Sequence, residues 1–359
     1  MPEAERDRIV RRHQARYADF GPTLACEKLA EEGMVISPDT LVAILKEREL
    51  WRRQRRRGKH RRRRERQAHF GMMVQMDGSH HDWFEGRGAK CVLMVLVDDA
   101  TGWTYARFYP AETTEAAFDV FGRWAQLHGV PRRVYVDRHG IYRDEDHPEK
   151  PTQFGRAMGE LQAELIRVRS PQAKGRVERK HRVFQDRLVK ELRLRGISGQ
   201  EQGNVLLEKT LLADFNRRYG IKPAQAGDRH RACPAGIAEV LCVQEQRVVG
   251  QDWCVRWKNR WVQIMAGPAS AGLAGKTVLV KQLGDGKLLV ERAGQKLACS
   301  ELLARPQVAA AARPRVAQVN NKKWKPGPGH PYNRAARAMQ ASRARAATAA
   351  PARPAPASA

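Results

Sequence analysis

Acidic residues are scarce in this 359-residue chain: 39 Asp and Glu stand against 66 Lys and Arg, and none follows Glu301. The net charge of +27 exceeds what solubility requires, so we expect a polyanionic partner, and DNA, RNA or an anionic membrane would each fit. No stretch approaches the roughly 18 to 20 consecutive apolar residues of a membrane-spanning helix. The N-terminal sequence also lacks the apolar core of a signal peptide. The sequence therefore favours a soluble, intracellular protein without a membrane partner.

Cysteine pairs at disulfide or metal-binding spacing are also missing. The six cysteines are scattered along the chain, with no CxxC pair and no histidine pair at zinc-finger spacing. Neither a disulfide framework nor structural zinc is indicated, and reduced thiols are the default.

Composition and patterning divide the chain into six predicted segments. A helical segment with a helix-turn-helix outline comes first, its third helix opening with Ser37 as N-cap and Pro38 at the next position. A basic block follows, Arg52 to Arg66, in which eleven of the residues are Lys or Arg; we expect it to contact phosphates, the alternative being a solvated spacer. The segments are 1–50 (helix-turn-helix-like), 51–69 (basic linker), 70–200 (α/β core), 201–242 (helical connector), 243–304 (small antiparallel β-barrel) and 305–359 (disordered basic tail rich in Ala, Arg and Pro).

The core segment is predicted to be an α/β fold with a mixed five-stranded sheet. The apolar run KCVLMVLVDD is typical of a strand buried on both faces, and TTEAAFDVFGRWAQLHG has helical periodicity with Ala117, Phe121, Trp124 and Leu127 on one side. The element order βββαβαβα predicts a three-strand meander followed by crossover units, with helices on the faces of the sheet.

Three carboxylates stand where such a fold could bring them together. Asp77 ends the first strand, Asp137 ends the strand RRVYVD, and Glu178 lies one turn into the long helix GRVERKHRVFQDRLVKELRLRG. Counting about 100° per residue from Val177 puts Glu178 at the border of the stripe that packs on the sheet. Converging carboxylates repel one another unless a cation lies between them, which suits Mg²⁺; the alternative is three ordinary surface acids.

Other polar residues in this part of the chain have simpler interpretations. Asp98 and Asp99 are assigned to turn chemistry. His80 and His81 are expected to be structural or to face the substrate rather than to bind metal. Five basic residues around Glu178 are candidate phosphate contacts, Lys174 and Arg182 first because of their spacing from it, then Arg176, Arg179 and Lys180, the alternative being a solvated basic face.

The segments QMDGSHHDWFEGRG, VYVDRHGIY and SPQAKGRVERKHRVFQDRLVKEL resemble the signature segments of insertion-sequence transposases with a retroviral-integrase-like catalytic core, the DDE superfamily. The resemblance runs from about Tyr17 to Tyr332 and is most specific in the third segment. It implies an RNase H-like core in which Asp77, Asp137 and Glu178 are the catalytic, metal-binding triad.

The resemblance also implies the chemistry and the partners. Two Mg²⁺ ions, replaceable by Mn²⁺, would serve water attack at a transposon end and then attack of the freed 3′-hydroxyl on target DNA. It implies a homo-oligomer on double-stranded DNA, an SH3-like DNA-binding barrel at the C-terminal end, no zinc, and a bacterial cytoplasmic protein associated with the nucleoid.

Two alternatives stay open. One is an RNase H-like nuclease that cuts DNA without joining it. Relatives of this type carry a further helix-turn-helix unit before the part corresponding to residues 10–50, so the other alternative is a shortened, catalytically impaired remnant that only binds DNA.

Overall fold

The computed structural model describes residues 1–51, 64–168, 175–267, 272–302 and 327–348. Residues 1–303 form one compact unit and residues 304–359 a second. The helices are α1 (Glu3–Arg16), α2 (Pro22–Glu31), α3 (Pro38–Glu47), α4 (Thr114–His128), α5 (Gln153–Glu160), α6 (Gly175–Leu194), α7 (Gln200–Leu206), α8 (Leu212–Tyr219), α9 (Ile237–Val240) and α10 (Pro331–Thr348), with a π-helical turn (Leu207–Leu211) between α7 and α8. The strands are β1 (Val74–His81), β2 (Cys91–Asp98), β3 (Thr104–Tyr109), β4 (Arg133–Val136), β5 (Glu164–Arg167), β6 (Val243–Val248), β7 (Cys254–Trp257), β8 (Arg260–Ile264), β9 (Thr277–Gln282), β10 (Leu288–Arg292), β11 (Gln295–Leu297) and β12 (Cys299–Leu302).

The predicted mixed five-stranded sheet is confirmed. Its strand order is β3-β2-β1-β4-β5, in which β1, β2 and β3 pair antiparallel while β4 runs parallel to both β1 and β5. Every residue of β2 is buried, as expected of an apolar strand covered on both faces. The meander and the two crossover helices therefore appear in the predicted order.

Helix α4 has a capping contact at its start and a glycine at its end. Thr113 accepts a hydrogen bond from the backbone N–H of Ala116 (3.2 Å), and Gly129 ends the helix at φ +96°, where a side chain would be strained. Trp124 is fully buried. Leu127, which the spacing puts on the same side of the helix, is 62% exposed.

The long helix α6 packs on β1 and β2 through the predicted stripe, with Val177, Phe184 and Leu188 buried. Its first turn is fixed to the sheet, since the backbone N–H of Val177 donates to Oε1 of Gln75 (3.3 Å). The position of α6 along β1 is therefore set by a polar contact as well as by the apolar stripe.

The three N-terminal helices form an apolar cluster of their own. The predicted cap of α3 is confirmed, because Oγ of Ser37 accepts from the backbone N–H of Thr40 (3.1 Å), and Gly33 turns the chain between α2 and α3 at φ +83°. DNA reading by α3 stays a prediction.

Ion pairs attach these helices to α6. Nζ of Lys28 lies 2.7 Å from Oε1 of Glu191, with side chains only 6% and 10% exposed. Glu27 accepts two hydrogen bonds from Arg187, and Asp19 pairs with Arg193 at 2.6 Å. The helix that carries Glu178 is thus held by the sheet on one side and by the N-terminal helices on another.

The predicted closed C-terminal barrel is not confirmed. In the described part of this region, β6, β9, β10 and β11 form a four-stranded sheet, while β7, β8 and β12 form a separate three-stranded sheet. Both sheets contribute to one apolar cluster, including Trp257 from the smaller sheet and Val280 from the larger. A turn that contains Gly286 at φ +85° connects β9 to β10.

The second unit corrects the prediction of a wholly disordered tail. Residues 331–348 form α10, whose alanines and arginines favour helix. The predicted basic block lies outside the described residues from 52 to 63. None of the helices in the described ranges is long and apolar enough to cross a membrane.

Candidate active site

Asp77 and Asp137 lie at matching positions on adjacent parallel strands. In the β1–β4 pair, Val74 is opposite Val134 and Gln75 is opposite Tyr135. Continuing this register by two residues puts Asp77 level with Asp137, which follows the last residue of β4. Oδ1 of Asp137 accepts a hydrogen bond from the backbone N–H of His139 (2.9 Å), which orients the carboxylate at the strand end.

A third carboxylate at this place, Glu112, was missed by the sequence prediction. A β-carbon on Gly78 would overlap Oε2 of Glu112, so the glycine leaves the space that this carboxylate occupies beside Asp77. Glu112 lies between β3 and α4, its side chain is 8% exposed, and its Oε2 is 3.4 Å from Nε2 of His80. The sequence contained a signal for this carboxylate. Glu112 follows the carboxyl end of β3, and β3 runs in the same direction as β1.

These carboxylates influence one another. Burial raises the pKa of Glu112; His139 and His80 lower it, whereas the negative charges of Asp77 and Asp137 raise it further. Such crowding of carboxylates is the condition that a bound cation relieves.

Tyr142 and His181 border the same acids. Burial raises the pKa of the Tyr142 hydroxyl well above its usual range, and the charges of Glu112, Asp137 and Asp77 add to the shift. This hydroxyl is buried without a hydrogen-bond partner among the described residues. Nδ1 of His181, on α6, lies 3.9 Å from Oδ2 of Asp77.

Glu178 is half-buried in the first turn of α6, one turn before His181. Across the described ranges, no three His, Cys, Asp or Glu side chains are arranged to hold a metal ion together. Asp77 does not end β1 as predicted, because the strand continues to His81, whereas Asp137 does follow the last residue of β4. The Asp77–Asp137 pair nevertheless fits a hard divalent cation, since its donors are carboxylate oxygens on adjacent strands. The metal-binding role of the full triad stays a prediction.

The predicted phosphate contacts differ in their surroundings. Arg179 and Arg182 are exposed on α6. Arg176 is 17% exposed and its NH1 lies 2.9 Å from Oδ1 of buried Asp99. Lys180 lies 4.4 Å above the ring of Phe215. The pKa of Lys180 is lowered to about 8, mainly by burial and also by the charges of Arg66 and Arg179. Lys174 lies outside the described residues.

The turn assignment for Asp98 is confirmed, because its Oδ1 accepts from both the backbone N–H and the hydroxyl of Thr101 (2.7 Å each). Asp99 does more than turn the chain. It is fully buried, accepts from the Gln75 amide at 2.9 Å, and pairs with both Arg64 and Arg176. It thereby ties the end of the basic block and the start of α6 to the sheet.

Two known proteins match most of this chain. The chain is 41% identical over 292 residues to a protein named "Putative transposase y4bF" from Sinorhizobium fredii, a match that covers 79% of this chain and 64% of that protein. It is 28% identical over 248 residues to the transposase for insertion sequence IS1202 of Streptococcus pneumoniae, covering 67% of this chain and 53% of that protein. The chain is similar to insertion-sequence transposases. It spans between about half and two thirds of the length of these relatives.

Solved structures give weaker likenesses. A chain of the simian T-cell lymphotropic virus intasome in complex with the PP2A regulatory subunit B56 gamma matches with a TM-score of 0.39 at 14% identity, over 78% of this chain and 96% of that one. The HTLV-2 integrase catalytic core domain in complex with magnesium matches with a TM-score of 0.30 at 18% identity, over 40% of this chain and 89% of that one. No protein-family model matches the chain.

Proposed function

We propose that this protein is a DDE transposase with an RNase H-like core, which cleaves transposon ends and joins them to target DNA. The observation that carries the proposal is the parallel register that sets Asp77 level with Asp137, with α6, the helix that carries Glu178, packed on β1. The similarity to two transposases supports the same chemistry. Double-stranded DNA is the proposed substrate, and a homo-oligomer that pairs two ends is the proposed active form.

Asp77, Asp137 and Glu178 are the proposed metal ligands. Bound Mg²⁺, as two ions or with Mn²⁺ in its place, would supply Lewis acidity and lower the pKa of a water or hydroxyl nucleophile. Asp137 is held for this role by the backbone N–H of His139, and His181 is a positioning residue for Asp77. Glu112 adds a third negative charge close to the two aspartates.

The basic residues of α6 would hold the DNA on which these acids act. Exposed Arg179 and Arg182 are the proposed phosphate contacts among the described residues, and Lys174 is proposed from the sequence alone. Arg176 and Lys180 have protein partners, so we assign them to the support of α6 before any contact with phosphate.

Strand transfer on a labelled duplex that carries the element's terminal repeat tests this function. Wild type should join the duplex to a target plasmid only with Mg²⁺ or Mn²⁺, and Glu178→Gln should abolish joining. Asp186→Asn, which neutralises an exposed acid on the same helix, is the matched control and should keep the activity. Metal-dependent cleavage without any joined product would instead establish a nuclease, and tight DNA binding without either activity would establish a DNA-binding remnant.

A further inference from the structure

Four arginines gather in an open groove at the end of the sheet away from the carboxylates. We call it the arginine groove; it has a volume of about 570 Å³, and its arginines are Arg132, Arg133, Arg229 and Arg231. Arg133 is the first residue of β4, whereas Asp137 follows the last. Four residues of extended strand separate these two levels by about 13 Å. The groove is therefore a different surface from the candidate active site.

The backbone of the groove is firmly built. The segment that carries Arg229 and Arg231 pairs with the loops before β1 and β4: the N–H of Arg229 donates to the Phe70 carbonyl (2.9 Å), and Arg231 exchanges two hydrogen bonds with Val130 (2.8 and 2.9 Å). The chains approach so closely that a β-carbon on Gly129 would overlap the Arg231 carbonyl oxygen. The arginines are thus presented by fixed backbone.

The charge of the groove is largely uncompensated. Its one acid, Glu164, pairs with Arg133 at 2.9 Å. Among the described residues no carboxylate pairs with Arg132, Arg229 or Arg231, and NH1 of Arg231 is buried without a hydrogen-bond partner. Elsewhere arginines of this unit, such as Arg187, have carboxylate partners. Nε of Arg132 donates to the carbonyl oxygen of Arg229 (2.6 Å), which neutralises no charge. Guanidinium groups without a carboxylate partner are suited to an anionic ligand with several oxygens.

The shape of the groove indicates the class of ligand. It is open, and its lining includes Met72 and His69 but no Phe, Tyr or Trp on which an unpaired base could stack. We propose that the arginine groove binds the backbone of double-stranded DNA, at phosphates some 13 Å or more from those at the candidate active site. The identification of the ligand as DNA rests on the proposed function. The inference that the groove binds an anion rests on its arginines alone.

Chemical footprinting on the full-length wild type tests the proposal without a variant. The protein is treated with phenylglyoxal in EDTA, alone or with a duplex of about 40 base pairs, roughly four helical turns, and modified arginines are mapped by mass spectrometry. The proposal predicts that duplex DNA protects Arg229 and Arg231. Equal modification with and without DNA would overturn it. Equal protection by inorganic phosphate alone would assign a small-anion site instead, and stronger protection by duplex RNA would overturn the assignment to DNA.

The salt dependence of binding provides the second measurement. Each phosphate contact contributes about 0.9 to the slope of log Kobs against log salt, so Arg229→Gln/Arg231→Gln should lower the slope by about 2. The control Lys209→Gln/Arg217→Gln removes the same charge from exposed positions and should keep the wild-type slope. An unchanged slope in the groove variant would refute the proposal even if strand transfer works. If DNA protects the groove but the protein carries out no strand transfer, the proposed function is refuted and the proposal for the groove stands.

Discussion

The contact of Lys28 with Glu191 allows a quantitative test of how the N-terminal helices hold α6. Both side chains are nearly buried, at 6% and 10% exposure, and their charged atoms are 2.7 Å apart. Removing one partner of a buried ion pair costs roughly 3 to 5 kcal/mol, because the other charge is left without compensation. Here each partner keeps a second contact, Lys28 with Glu31 and Glu191 with Arg195. We therefore expect Lys28→Met and Glu191→Met each to cost about 2 kcal/mol.

The double variant distinguishes interaction from simple packing. Replacing both charges by apolar side chains of similar volume should bring the free energy of unfolding to within about 1 kcal/mol of wild type, a coupling of about 3 kcal/mol. The assay is urea unfolding together with hydrogen exchange of the α2 amides, which reports the opening of these helices directly. If the free energy of unfolding lost by the double variant equals the sum of the losses of the two single variants, the reasoning is refuted.

Three further predictions concern other parts of the protein. Glu112→Gln removes one negative charge beside Asp77, so the Mg²⁺ concentration that half-saturates DNA cleavage should rise about tenfold; an unchanged Mg²⁺ titration would contradict this. A hydrogen bond from Arg12 lowers the pKa of Glu32 to about 2, so this carboxylate stabilises the fold above pH 4.5 and the contribution is lost as pH falls to 2. The stability difference between wild type and Glu32→Gln should therefore shrink across that window in acid titrations followed by circular dichroism, and a constant difference would exclude the contact as its source. Trp124→Ala should cost about 3 to 5 kcal/mol in urea unfolding, because Trp124 is fully buried; a cost under about 1 kcal/mol would show that the core refills the space.

The features that follow from local patterning were predictable. The continuous apolar run of β2 determines a strand buried on both faces, and the spacing of Val177, Phe184 and Leu188 determines the buried face of α6. The capping contact of Ser37 depends on neighbouring residues only. Such elements can be read from the sequence because their determinants lie within a few residues of one another.

The features that depend on distant contacts were not predictable in the same way. Glu112 joins Asp77 and Asp137 only because β3 runs parallel to β1, which brings its carboxyl end to the same side of the sheet. Asp99 has the sequence context of a turn, and its role in holding Arg176 appears only when α6 is docked. Likewise, nothing near Arg229 in sequence indicates the arginine groove.

The most direct test of the account is Mn²⁺ binding measured by electron paramagnetic resonance on the full-length protein without DNA. If Asp77, Asp137 and Glu178 form one metal site, Asp137→Asn and Glu178→Gln should each weaken binding at least tenfold, while Asp186→Asn should bind Mn²⁺ as wild type does. Undiminished Mn²⁺ binding by Glu178→Gln would contradict the account, because Glu178 would then lie outside the metal site.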